Sequence, residues 1–486
     1  MYRKNDGQIS IAEFLSPFGK LDETNRWVKK AKLIPWDRIE ETYARLFESD
    51  TGNVAKPVRM ALGSLLIKQE TGLSDEGVVQ NIVENPYMQF FIGLHEFTTK
   101  ASFAATTMVY FRKRLTAEIL AEINEIIFAA ERDEEDGSGS GSGGPGGDTP
   151  ETSDGGGAEG MEGQVQNQGI LMLDATCVPA DITYPTDVGL LNEAREKLED
   201  IIDLLHPQMG EKRKPRTYRK RARKDYLNFV KRRKKGKRLI RKAIRKQLGY
   251  VRRDLSHIGK MLENASDHPL PERHTLWLST IRTLYEQQLF MYRNRTHTVP
   301  DRIVSISQPH VRPMVRGKKA ANVEFGAKVS ISLVDGYAFV DKIGWDNYSE
   351  AELLPDAVER YRRRYGHYPE AVLADKLYRN RNNLRYCKDR GIRLSGPRLG
   401  RPPKDVVHDL HERSDNAMRN WVESKFGEGK TRYGLARLFA RLKGTSEAAI
   451  QLAFLALNLS RRVRELFRCL FLWLESVFLF FMPLVE

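Results

Sequence analysis

Cysteine is scarce in this chain: Cys177, Cys387 and Cys469 are the only three in 486 residues, far apart and without paired spacing. That excludes a disulfide framework and a zinc ribbon, and it fits a reducing compartment. The opening stretch "MYRKNDGQIS" lacks the apolar core and cleavage pattern of an export signal. A clean membrane span is also missing. "LFRCLFLWLESVFLFFMPLV" (466–485) has nearly the length of one, but Arg468 and Glu475 interrupt it and Pro483 closes it. A buried or oligomerising terminal helix is expected there ahead of a transmembrane one. Large apolar side chains are almost absent from residues 136–169, which therefore cannot offset their chain entropy by burial and read as a Gly/Ser-rich flexible linker. Acid, finally, is missing where base is densest. Residues 212–253 are about half Lys and Arg, and Asp225 is the only acid among them.

What is present bounds the class. The length suits two or three domains, 41% hydrophobic residues can fill real cores, and a net charge of +15 calls for an acidic partner, nucleic acid ahead of a membrane surface. Before the linker, residues 1–135 read as all-helical. "KPVRMALGSLLIKQE" (56–70) begins at Pro57 and ends before Gly72, Ser74 can cap the next helix, and Asn85-Pro86 closes it. Helix, glycine turn, helix is the outline of a helix-turn-helix, so an N-terminal DNA-binding domain is expected, free to range on its linker.

After the linker the texture is α/β. "GILMLDATCV" (169–178) reads as a buried strand and "EFGAKVSISLVDGYAFVDKIGW" (324–345) as a hairpin turning at Asp335-Gly336. A helix from about Ser349 to Tyr365 follows, then strand 370–376, a helix near Asn382 to Arg390, strand 391–396 and a long helix, the layout of a mixed sheet. An insertion at 188–300 interrupts it. Ile240, Ile244, Leu248, Val251, Leu255, Ile258 and Leu262 stripe one helix, and Trp277, Ile281, Leu284 and Met291 mark a returning one, giving a basic helical hairpin.

The chemistry points to acids. Asp174 follows "ILML" and Asp375 follows "AVLA", so each emerges from a buried strand, and Glu423 lies on the next long helix amid Arg419, Lys425, Lys430 and Arg432. Three gathered carboxylates repel one another unless divalent metal neutralises them, and hard oxygen ligands suit Mg²⁺, with Mn²⁺ as substitute. Two such ions can activate an attacking oxygen and stabilise a leaving one in phosphoryl displacement, while the cations hold an anionic backbone.

Arg419, three residues, Glu423, six residues, Lys430 resembles the R-E-K part of the signature of DDE transposases from bacterial insertion sequences, most like the insertion-sequence-five family within the broader insertion-sequence-four-like group. The full signature has a tyrosine three residues before the arginine, where this chain has Asn416; the glutamate assignment stands, and the DNA contact that the tyrosine would make is missing. Asp174 in "LDAT" and Asp375 in "ADKLYRNRNN" match the two aspartates, and 9–36, 312–332 and 395–402 are further similar stretches. The resemblance implies a ribonuclease H-like catalytic domain (170–460) and a transposase that binds terminal inverted repeats, cleaves to free a 3′-hydroxyl and joins it to target DNA. A homodimer on DNA, a prokaryotic cytoplasm near the nucleoid, no membrane and no small-molecule cofactor go with it. A catalytically inactive DNA-binding relative and a nuclease without strand transfer are the alternatives.

Other residues carry subsidiary expectations. Lys376, Arg316 and Lys328 are candidate phosphate contacts near the cut, Glu324 a structural acid ahead of a site residue, and His408 with His411 an unpromising metal pair. Lys231, Arg232 and Arg233 in "KRRKKGKR" would grip DNA. The hairpin has two open readings, a DNA clamp or a dimerisation arm, and 461–486 is expected as a separate hydrophobic C-terminal helix.

Overall fold

The computed structural model describes residues 15–16, 19–47, 53–138, 166–209, 213–264, 270–315, 323–396 and 410–481. A two-residue hairpin, β1 (Leu15–Ser16) with β2 (Gly19–Lys20), leads into helices α1 (Arg26–Leu33) and α2 (Trp36–Ala44). Pro57 then starts α3 (Val58–Thr71), and Gly72 ends it at φ 68°. Ser74 caps α4 (Asp75–Glu84) by accepting the Gly77 N–H at 3.1 Å, and Asn85 caps α5 (Pro86–Phe91). α6 (Thr107–Arg114) and α7 (Ala117–Ser138) complete this part. The helix-turn-helix outline is present at α3 and α4, yet α4 carries Asp75, Glu76 and Glu84 and no Lys or Arg. Asp75 already takes Lys68 at 2.5 Å and Arg112 at 2.6 Å. α4 therefore brings no cation of its own to a groove lined with phosphates.

The sheet is mixed. β3 (Ile170–Pro179) is followed in sequence by an insertion of α8 (Asp187–Leu205), α9 (Arg219–Val230), α10 (Lys237–Asn264) and α11 (Glu272–Asn294). Then come β4 (Arg312–Val315), β5 (Val323–Val334), β6 (Tyr337–Gly344), α12 (Leu354–Tyr365), β7 (Ala371–Leu373), α13 (Arg381–Lys388), β8 (Arg393–Ser395), α14 (Leu410–Arg432) and α15 (Lys443–Phe481). The spatial order is β4-β5-β3-β7-β8, with β6 also on β5. β3 runs antiparallel to β5 and parallel to β7. The β5–β6 turn has positive φ at both Asp335 and Gly336, as a two-residue hairpin of this twist requires. β4 is too short to be legible in sequence, and its Pro313 is tolerated because the strand lies at an edge.

Both faces of β3 are covered, which is why its first four residues, Ile170 to Leu173, are all apolar rather than alternating. Met172 and Val178 meet a core shared with the N-terminal helices, α14 and α15, while Leu171 and Leu173 meet α12 and α13. α15 ties the chain ends to the sheet. Its Asn458 exchanges hydrogen bonds with both backbone groups of Ala338 and donates to Asn124 in α7 at 3.3 Å. Lys30 donates to Ser460 at 3.0 Å, Gln69 to the Tyr433 carbonyl at 2.6 Å, and Arg364 holds Glu125 through two nitrogens. The expectation of an N-terminal unit free to range is therefore corrected: its core is continuous with that of the sheet. Residues 139–165 of the linker lie outside the described residues.

Two boundaries also change. No helix break falls at 461, because α15 is one helix from Lys443 to Phe481. Among the described residues no helix is long and apolar enough to cross a membrane. The expected hairpin is a larger unit: α8 lies along α10 and α11, and Leu191, Leu198, Val251, Ile258, Ile281 and Leu284 form a core of its own.

Leu457→Ala, at a fully buried position of α15, should cost about 2–5 kcal/mol, and calorimetry should show the N-terminal helices and the sheet unfolding in one shifted transition. Separate transitions would contradict the shared core. In the insertion, Asp254 is fully buried with neither carboxylate oxygen hydrogen-bonded. Burial, with Glu199 as a nearby like charge, pushes its carboxyl from 3.8 up to about 8. The folded state thus holds a proton that the unfolded state releases near the lower value, so stability falls as pH rises through that window. Asp254→Asn should flatten the dependence of melting temperature on pH, with a gain on the order of a few kcal/mol at alkaline pH.

Candidate active site

The register of β3 against β7 decides where the acids stand. Met172 is opposite Leu373, the last residue of β7; Asp174 lies two residues further along β3, and Asp375 two residues past the end of β7, where it caps a short 3-10 turn (Lys376–Tyr378). By alternation Asp174 shares the face of Met172, whose core also contains Val422 and Phe426 of α14. Arg419 of α14 is 3.9 Å from Asp375, and both Arg419 and Asp375 act electrostatically on Asp174, so the two aspartates are neighbours beside α14. Gly396 lets the end of β8 close on this point: at its φ of 148°, a Cβ would lie 2.5 Å from the Ala374 carbonyl oxygen.

Each aspartate accepts its neighbour's backbone N–H, Asp174 from Ala175 at 2.7 Å and Asp375 from Lys376 at 2.6 Å. Burial pushes the Asp174 carboxyl up to about 6; Glu350 and Asp375 add like charge, and the Ala175 N–H and the Arg419 guanidinium offset only part of this. A half-buried acid so placed is short of a cation.

α14 supplies the rest. Arg419, Glu423, Phe426 and Lys430 recur at four-, three- and four-residue intervals and so share one stripe. Arg419 Nη2 is 3.9 Å from Asp375, and Lys430 Nζ donates to the Thr176 hydroxyl at 3.0 Å, two residues along β3 from Asp174. Glu423 stands on that stripe between them, exposed and with no described hydrogen bond or ion pair. Among the described residues no three His, Cys, Asp or Glu side chains come close enough together to hold a metal. The two aspartates are paired, and the glutamate is aligned with them but not closed onto them.

The other expected contacts divide. Lys376 is exposed beside Asp375. Lys231, Arg232 and Arg233 are exposed in the α9–α10 connection, in a different part of the fold. Lys425 is corrected: it is 8% exposed and turned toward Glu428 at 3.4 Å, because its helical position is well off the Arg419 stripe, so it is not placed to meet DNA. Lys328 is likewise engaged, paired with Glu350 at 2.8 Å and donating to the Tyr348 carbonyl at 2.8 Å. Glu324 lies seven residues along β5 from Ile331, the partner of Asp174, hence roughly 23 Å away. Arg316 and His408 lie outside the described residues. Glu350 is the acid that sequence reasoning missed. It sits in a single tight turn (Glu350–Leu353) after the hairpin, where a first-turn acid reads as ordinary helix capping.

Residues 372–460 match the family model described as "Transposase DDE domain", and residues 16–114 match one described as "Transposase domain (DUF772)". The first spans Asp375, Arg419, Glu423 and Lys430; Asp174 and the whole insertion fall outside both. The protein described as "Uncharacterized protein ORF8 in nfe locus" of Rhizobium meliloti is 38% identical over 96 residues, 20% of this chain and 46% of that one. The chain thus spans about half the length of the curated relative it matches. No solved structure matches.

Lys328 and Glu350 are mostly buried, so removing one strands the other. Lys328→Met and Glu350→Leu should each cost roughly 1–3 kcal/mol in chemical denaturation, with the double variant recovering part of the sum. Strict additivity would mean the pair is not coupled.

Proposed function

We propose that this chain, a relative of the DDE transposases at the level of the family, binds the terminal inverted repeats of an insertion sequence and catalyses metal-dependent cleavage and joining of their ends. The observation that carries the reading is Asp174 on β3 beside Asp375, just past the end of the neighbouring parallel strand β7, next to a helix whose stripe runs Arg419, Glu423, Lys430. That arrangement supports a ribonuclease H-like core for the sheet.

The residues suit divalent metal. The donors are hard carboxylate oxygens, and Asp174 has its ionised form disfavoured by burial with no cation bonded to it. Asp174, Asp375 and Glu423 would hold Mg²⁺ or Mn²⁺, in a pair of ions, and the metal when bound would supply Lewis acidity to the attacking and leaving oxygens of the phosphodiester. The chain's own side chains do the rest. The two aspartates are each held by the backbone N–H of the next residue, which leaves one oxygen of each outside that bond. Arg419, Lys376 and Lys430 ring that space with positive charge that would grip the phosphates on either side of the cut. Water and then the freed 3′-hydroxyl would use the same centre in turn. Joining two element ends requires two copies of the chain on one DNA assembly, which we place at the nucleoid of a prokaryotic cell.

The test uses purified protein, labelled DNA bearing the element's ends, and Mg²⁺ or Mn²⁺. Asp174→Asn, Asp375→Asn and Glu423→Gln should each reduce cleavage and joining by roughly a hundredfold or more while end binding persists. Cleavage without joined product would favour a nuclease, binding without cleavage an inactive relative, and cleavage surviving Glu423→Gln would remove that residue from the triad.

A further inference from the structure

The helical insertion lies outside both matched segments, yet it carries the densest charge in the chain. Its helices α9 and α10 enclose an open cavity of about 530 Å³. Arg221, Lys242, Arg245, Lys246 and Arg253 line it against a single acid, Asp225. That acid is already satisfied, accepting from Lys246 Nζ at 2.8 Å and from the Tyr250 hydroxyl at 3.0 Å. Its bonds pin α9 to α10 across a seam that like charge would otherwise open. The side chains of Arg221, Lys242, Arg245 and Arg253 make no described ion pair, and Arg253 Nη1 is buried without a hydrogen bond. Tyr218, held at φ 57°, puts its ring 4.6 Å from the Arg253 guanidinium and so fixes that group in the wall of the cavity.

The spacing has the scale of a nucleic-acid backbone. Lys242, Arg245, Lys246, Gly249 and Arg253 lie on one face of α10 from residue 242 to residue 253, roughly 16 Å, which passes about four or five phosphates of one strand at roughly 3.4 Å each along the axis. Gly249 sits mid-stripe with no heavy atom within 4 Å of where a Cβ would be, leaving the floor open to a close approach. The opposite side of α10 is spent on the insertion's own core through Leu248, Val251, Ile258 and Met261, so no apolar face is left to enter a bilayer.

We infer that the groove between α9 and α10 is a second DNA site, one that grips the phosphate backbone of a duplex without reading its bases, apart from the site beneath α14. It rests on the proposed function only in taking DNA as the polyanion. The test uses the full chain and a duplex of arbitrary sequence lacking element ends, with affinity read by fluorescence anisotropy between roughly 50 and 200 mM salt. The combined variant Arg221→Gln, Lys242→Gln, Arg245→Gln should bind at least tenfold more weakly, and its salt slope should fall by about 0.9 for each phosphate that is no longer neutralised. Lys260→Gln, Arg282→Gln, Arg293→Gln, which removes the same charge from exposed positions elsewhere on the insertion, should stay within about twofold of the parent. Equal weakening in both would overturn the site in favour of diffuse charge. Binding to vesicles of anionic lipid that exceeds binding to the duplex and falls in the groove variant would overturn DNA as the ligand. Asp174→Asn separates the two readings: it should abolish strand cleavage and leave duplex affinity unchanged. A parent that cleaves nothing, yet binds the duplex more weakly in the groove variant, would sink the proposed function and spare the groove.

Discussion

A carboxylate in the middle of a strand buried on both faces is the constraint around which the sheet is organised. Asp174 loses hydration at a point where β7 pairing ends, and its burial raises its proton affinity. The surroundings are arranged to make that tolerable. Arg419 leans in from α14, the backbone N–H of Ala175 is donated to it, and Lys328 takes up the charge of Glu350 close by. Even so, burial outweighs these partners and the Asp174 carboxyl stays raised, so its ionised form is disfavoured where it stands.

α14 can bring its stripe to that position because α15 turns back beneath it. The segment after α14 is fastened to the end of β3, where the Leu438 N–H meets the Pro179 carbonyl at 2.8 Å and the Asp181 N–H meets the Leu438 carbonyl at 2.9 Å. α15 then packs on the N-terminal helices and on β6 through Asn458 and its apolar side. The N-terminal part is thus a wall of the same core that seats the acids. A change in it would be felt at the sheet through packing, since interiors of native density transmit strain.

The insertion follows a different logic. It has its own core and leaves the sheet between β3 and β4, so its charge can serve binding without disturbing the register of the acids. Asp225 shows how such a surface is kept in order: one acid, placed in the seam, holds two basic helices together and leaves Arg221, Lys242 and Arg245 with no described ion pair.

Much of this could be read along the chain. Gly72, Ser74, Asn85 and Asp335-Gly336 act on their immediate neighbours, so their turns and caps were legible residue by residue. The existence of β3 and β7, and the Arg419, Glu423, Lys430 interval, were legible because local periodicity and burial made them so, although Asp174 stands mid-strand and Asp375 just past its strand rather than each at a strand's end. Only the tertiary structure decided the rest. Lys425 and Lys430 look alike in sequence, yet one turns into the seam with α15 and the other reaches Thr176, because a helix face acquires meaning only from what packs on it. Glu350 near Asp174 and α8 joining the supposed hairpin are contacts made across long stretches of chain. Sequence determined which residues could be acids, caps and cations. Folding decided which of them meet, since that depends on strand register and helix packing that no local pattern encodes.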